Sequence, residues 1–147
     1  MPYFAALGPF FQNGKPISAE GRDHMTIAYR DEAFPDIAPL NSLSNALELR
    51  VVGEDMFGEH HDTPVYLVEF ADPREFDKVQ SYRARYQKTP PGEYAPSTFR
   101  PHITKKHVQT PLGVGDTLLA SRVFIQEAGE AGISPLYEFQ LLYAAIN

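Results

Sequence analysis

The tripeptides His24-Met25-Thr26 and His102-Ile103-Thr104 constrain this chain more than any other feature. In each, an imidazole and a hydroxyl stand two residues apart with an apolar residue between them. Successive side chains of a β-strand point to opposite faces, so His and Thr share one face, about 6–7 Å apart, while Met25 or Ile103 turns into a core. The alternation continues over His24–Arg30 and over His102–Lys106, which makes both segments half-buried strands. Chance predicts roughly one such match in four chains of this composition, and this chain has two, one in each half.

The same alternation marks strands at Tyr3–Leu7, Leu47–Val52, Val65–Phe70, Leu118–Gln126 and Leu136–Tyr143. Two helices are expected. Ile37, Leu40, Leu43 and Leu47 recur at near-helical spacing over Asp36–Ala46, with Pro39 tolerable in a first turn. Asp72-Pro73-Arg74-Glu75 has the N-cap, N1 proline and N3 glutamate of a capping box, and Phe76, Val79, Tyr82 or Arg83, and Tyr86 supply a buried stripe behind it. The order predicts an α+β fold, with a mainly antiparallel sheet and two outer helices, as a single domain over residues 1–147. Loops at Gly8–Asp23 and Lys88–Arg100 each enter a His-x-Thr strand, as site-forming loops often do.

Composition narrows the partners. With 13 basic against 19 acidic residues and a net charge of −6, the chain lacks the broad cationic surface that grips long nucleic acids. A small nucleotide in a locally positive cleft fits better. There is no cysteine, which removes disulfides, thiolate metal sites and a cysteine nucleophile. No apolar run reaches the ~18 residues of a membrane span, and the N-terminus has no signal-peptide pattern, so a cytoplasmic setting is expected. His60-His61-Asp62 lies in a polar connection without metal-ligand spacing and reads as a solvated loop. No metal, cofactor or obligate protein partner is expected.

Two imidazoles with ordinary pKa values near 6.5 can serve as one general base and one general acid. In-line cleavage of a phosphodiester needs both: a proton leaves the nucleophile and another reaches the departing oxygen. His24 and His102 are the candidates for these roles, in either order, and Thr26 and Thr104 for binding the non-bridging phosphate oxygens. Continued alternation places Arg30 on the His24 face and Lys106 on the His102 face, where each could steer a phosphate. Arg100 and Lys105 are weaker candidates, Lys105 being expected on the opposite face. Tyr3, Phe57, Tyr94 and Tyr143 are candidates for stacking on a base.

The paired motifs resemble the signatures of the 2H phosphoesterase superfamily, and Met56-Phe57-Gly58 followed by Val65–Phe70 is similar to the strand pair between them in that family. The resemblance implies a bilobal α+β fold with both motif strands lining a central cleft, and metal-independent phosphodiesterase activity on cyclic nucleotides, 2′,3′-cyclic phosphates or RNA ends. Short phage members of anti-CBASS type, which degrade cyclic oligonucleotide immune signals, are similar in size and layout. For such a member the location would be the host cytoplasm. Two alternatives stay open: an RNA-end 2′,3′-cyclic phosphodiesterase or 2′–5′ ligase-like enzyme, and a non-catalytic nucleotide-binding sponge.

Overall fold

The computed structural model describes residues 2–43, 47–88, 99–127 and 137–141. Along them run β1 (Tyr3–Leu7), β2 (Phe10–Gln12), β3 (Lys15–Pro16), β4 (Met25–Arg30), a 3-10 turn at Ala38–Ser42, β5 (Glu48–Phe57), β6 (Thr63–Phe70) and α1 (Pro73–Tyr86). Then follow β7 (His102–Thr104), a 3-10 turn at Lys105–His107, β8 (Thr117–Ala120), β9 (Arg122–Glu127) and β10 (Tyr137–Gln140). The fold is α+β and mostly sheet. Its strands pair antiparallel in a four-stranded sheet ordered β10-β9-β1-β4 and a six-stranded sheet ordered β3-β2-β8-β5-β6-β7. Each motif strand is the last in its sheet, and these two edges, β4 and β7, lie side by side.

Two crossings join the sheets. β1 pairs with β9 in one sheet, and β2 pairs with β8 in the other, so two chain runs stay together while both change sheet. The switch falls at Gly8-Pro9 on one run and at Ser121 on the other. There the Ser121 backbone N–H (3.0 Å) and hydroxyl (2.7 Å) both donate to the Pro9 carbonyl, and the Gly8 N–H donates to the Arg122 carbonyl (3.0 Å). Ala5, Leu7, Met25, Val123 and Ile125 of the first sheet and Leu49, Val51, Tyr66 and Ile103 of the second bury into one shared core.

Helix α1 packs on β4 and β6. The N-cap and N1 proline of the expected box form, with Asp72 Oδ1 accepting from the Arg74 N–H (2.9 Å) and Pro73 opening the first turn, while the Glu75 carboxylate pairs with Lys78 (3.4 Å). Glu75, Val79, Tyr82 and Tyr86 form its buried stripe.

Several expectations need correction. The helix expected over Asp36–Ala46 is, in its described part, a short 3-10 turn that ends where Leu43 becomes extended (ψ 141°), with residues 44–46 outside the described set. The run Leu118–Gln126 is two strands, because alternation continues through the sheet switch at Ser121. The loop Gly8–Asp23 contains β2 and β3, which extend the second sheet. β7 ends at Thr104 instead of Lys106. Among the described residues no helix is long and apolar enough to cross a membrane.

Candidate functional site

Each motif histidine is held in the same way. His24 Nδ1 lies 2.9 Å from the carbonyl oxygen of Arg22, and His102 Nδ1 lies 2.8 Å from the carbonyl oxygen of Arg100. A carbonyl oxygen can only accept, so Nδ1 carries the hydrogen in both rings and Nε2 keeps its lone pair when the ring is neutral. Neither Nε2 has a hydrogen-bond partner among the described residues, and neither do the half-buried hydroxyls of Thr26 and Thr104. The two histidines are close enough that His102 lowers the proton affinity of His24 through its field.

Local packing fixes these positions. Gly8 has φ +143°, and a Cβ there would sit 2.4 Å from the Asp23 carbonyl oxygen and 2.9 Å from His24 Cα. Only glycine lets the sheet switch pass this close to the backbone of the first motif. Asp23 Oδ2 accepts from the Phe10 N–H (2.7 Å), tying the start of the motif to the six-stranded sheet.

The face carrying His24 and Thr26 is set by register. Ala6 pairs with Thr26 and Phe4 with Tyr29, while Leu7 pairs with Met25, Ala5 with Ala28 and Tyr3 with Arg30. The skipped residue, Ile27, is a β-bulge, and it reverses the parity of everything after it. Arg30 is therefore on the core face, against expectation. Its guanidinium lies over Phe34 (5.7 Å) and Tyr86 (6.0 Å). Tyr3, its cross-strand partner, also packs against the core and is not beside the motif histidines. In their place the bulge brings Tyr29 to the motif face with Phe4 and Phe124, and the Phe4 ring sits 5.4 Å from the His24 ring.

On the other sheet, Thr104 pairs with Val65 and His102 with Leu67, and Phe57 pairs with Thr63 on the same face. The Phe57 ring is 4.4 Å from the His102 ring, and the Arg100 guanidinium lies over the Phe57 ring (5.1 Å) while pairing with Asp55 (2.8 Å). Lys105 lies over Tyr66 on the core-facing register and pairs with Glu54. Lys106 departs from its expected place. The 3-10 turn after Thr104 breaks the alternation, and Lys106 acts electrostatically on His24, not on His102. His107 ends the same turn with its ring 5.7 Å from that of His24.

One further residue was missed. Arg83 of α1 donates to the carbonyl of the bulge residue Ile27 (3.2 Å), lies over Phe99 (4.5 Å) and places its positive charge near His102. The available signal was a cation at the edge of a helix's buried stripe.

Electrostatics act in one direction on both motif histidines. Burial is the main cause holding each imidazole below its ordinary 6.5, opposed by the hydrogen bond from Nδ1. Neighbouring cations push the same way as burial: His107, His102 and Lys106 on His24, Arg83 and Arg100 on His102. These neighbours place several cationic groups beside the two histidines in a protein of net negative charge, an arrangement that favours an anionic ligand. His60 and His61 lie in an exposed turn between β5 and β6. Among the described residues no three potential ligands cluster as a metal site would require. Tyr94 and Tyr143 lie outside the described residues. Compared with known proteins, the sequence matches no family model and no curated protein.

Proposed function

We propose that this chain is a phosphodiesterase of the 2H type, and that its two sheets are the two lobes of that fold. The observation that carries this reading is the matched pair of histidines on adjoining edge strands, each with Nδ1 bound to the carbonyl two residues before it. That bond orients the ring, leaves Nε2 for proton transfer and partly offsets the loss of basicity from burial.

In the reaction, Nε2 of one histidine takes the proton from the attacking oxygen. The phosphorus–oxygen bond to the leaving group breaks as the other histidine delivers a proton to it. Where a 2′-hydroxyl adjoins the scissile linkage it is the nucleophile, and the product is a 2′,3′-cyclic phosphate. Where the substrate is already a cyclic phosphate, water attacks. The hydroxyls of Thr26 and Thr104 hold the non-bridging oxygens, and Arg83 contributes to the positive field behind His102.

The acidic overall charge favours small ligands over long polymers, so the proposed substrates are cyclic nucleotides or cyclic oligonucleotides, including signals of the kind that phage enzymes degrade. Incubation with cyclic mono-, di- and trinucleotides, 2′,3′-cyclic phosphates and 2′–5′ linked dinucleotides, followed by mass spectrometry of the products, tests this. Opening of a cyclic nucleotide ring supports the reading. Turnover confined to 2′,3′-cyclic ends or 2′–5′ linkages moves it to RNA-end chemistry, and recovery of every compound intact from folded protein replaces catalysis with binding.

A further inference from the structure

The cations on the two sides of the paired histidines are arranged differently. Beside His102, Arg100 is paired with Asp55, and Arg83 is engaged by the Ile27 carbonyl and Gln87. Beside His24 stand His107 and Lys106, and Arg22 acts in turn on His107. Lys106 is exposed and has no carboxylate partner among the described residues. His107 is half-buried against the His24 ring, and its nitrogens likewise have no hydrogen-bond partner among the described residues. Arg22 is held only by an exposed pair with Glu20 at 3.6 Å, a contact of little net strength. Glu20 and Arg22 both act on His107 through their fields, so the cluster holds up to three positive groups against one carboxylate.

We propose that His107, Lys106 and Arg22 form a second anion subsite, which takes a phosphate of the substrate other than the scissile one. The inference rests on the phosphodiester reading of the paired histidines and assigns this flank a task separate from proton transfer. The imidazole of His107 offers a donor beside the scissile position, Lys106 a mobile ammonium, and Arg22 a planar fork that a phosphate can draw away from Glu20. A ligand with two phosphates would bridge His24 and this cluster, and a ligand with one would leave the cluster empty.

Binding tests the subsite without requiring turnover. The probes are a linear dA-dA dinucleotide and the same dinucleotide bearing a terminal phosphate at its 5′ or 3′ end. They lack the 2′-hydroxyl nucleophile and report affinity, read by calorimetry. The subsite predicts that one phosphorylated isomer binds wild-type protein about tenfold tighter than the unphosphorylated probe, and that a His107→Asn, Lys106→Ala variant loses most of that ratio. The wild-type protein gives a second readout that needs no variant: the terminal phosphate steepens the fall of affinity with salt. Equal affinity for all three probes, or a preference that persists in the variant, overturns the subsite. Turnover of the cyclic, 2′,3′-cyclic and 2′–5′ compounds named above tests the functional reading separately. Phosphate-dependent binding of the probes without turnover of any compound in that panel would end the catalytic reading and leave the subsite standing.

Discussion

Asp23 stands one residue before the first motif histidine with 1% of its surface exposed. Its Oδ2 has the Phe10 N–H, but its Oδ1 is buried without a partner, and burial raises its pKa from 3.8 to about 6. A carboxyl whose folded pKa is raised favours folding most fully below its unfolded pKa. That contribution is lost as pH rises from about 4 through about 6, and the loss is on the order of 3 kcal/mol. Because the lowered pKa values of His24, His102 and His107 act in the opposite sense in both proteins, urea unfolding reads Asp23 as a difference: Asp23→Asn is expected to gain stability relative to wild type as pH rises across this range. An equal slope in both proteins would show that Asp23 makes no such contribution. The motif histidines carry a prediction of a different kind. With one required neutral and one protonated, kcat/KM follows a bell centred on the mean of their two pKa values. Burial and cationic neighbours lower both, so the optimum is expected below pH 6.5 for a substrate that does not itself titrate there. A pH profile centred above 7 would contradict the assignment.

The β-bulge at Ile27 decides which residues of β4 accompany His24. Strand parity correctly pairs His24 with Thr26 and His102 with Thr104, because each motif is too short to contain an irregularity. It fails for Arg30 and Lys106, which depend on extrapolation past a bulge or past a strand end, while Tyr3, offered only as a stacking aromatic, pairs with Arg30 and packs on the core. The two adjacent apolar residues Ile27 and Ala28 were a trace of the bulge, but consecutive apolar residues also occur in strands buried on both sides. Helix α1 was legible because its cap and stripe are local. The strand break at Ser121 was not, since a change of sheet is made by pairing with distant residues and leaves the alternation intact. Gly8 belongs to that crossing. Gly8→Ala meets both the positive φ and the Asp23 carbonyl at 2.4 Å, and is expected to cost ~2–4 kcal/mol of stability. Denaturant unfolding checks this, and a cost below about 0.5 kcal/mol, the range of neutral surface changes, would show that the crossing relaxes.

Across the whole molecule, two antiparallel sheets share one core and meet at the edges that carry the motifs. The arrangement concentrates Arg83, Arg100, Lys106 and His107 around His24 and His102, although the chain carries a net charge of −6. On the proposed reading, the net negative charge disfavours long polyanions while these cations favour a small anion at the histidines. The α+β class and the mainly antiparallel pairing follow from patterns readable in the chain. The division into two sheets does not, because each sheet takes strands from both halves. The pairing of the two histidines as acid and base is tested most directly by turnover of a cyclic dinucleotide by wild-type, His24→Ala and His102→Ala proteins, each shown to be folded by its unfolding transition. The expected result is ring opening by the wild type and a loss of at least about 10²-fold in each variant. Turnover near the wild-type rate in both variants would contradict it.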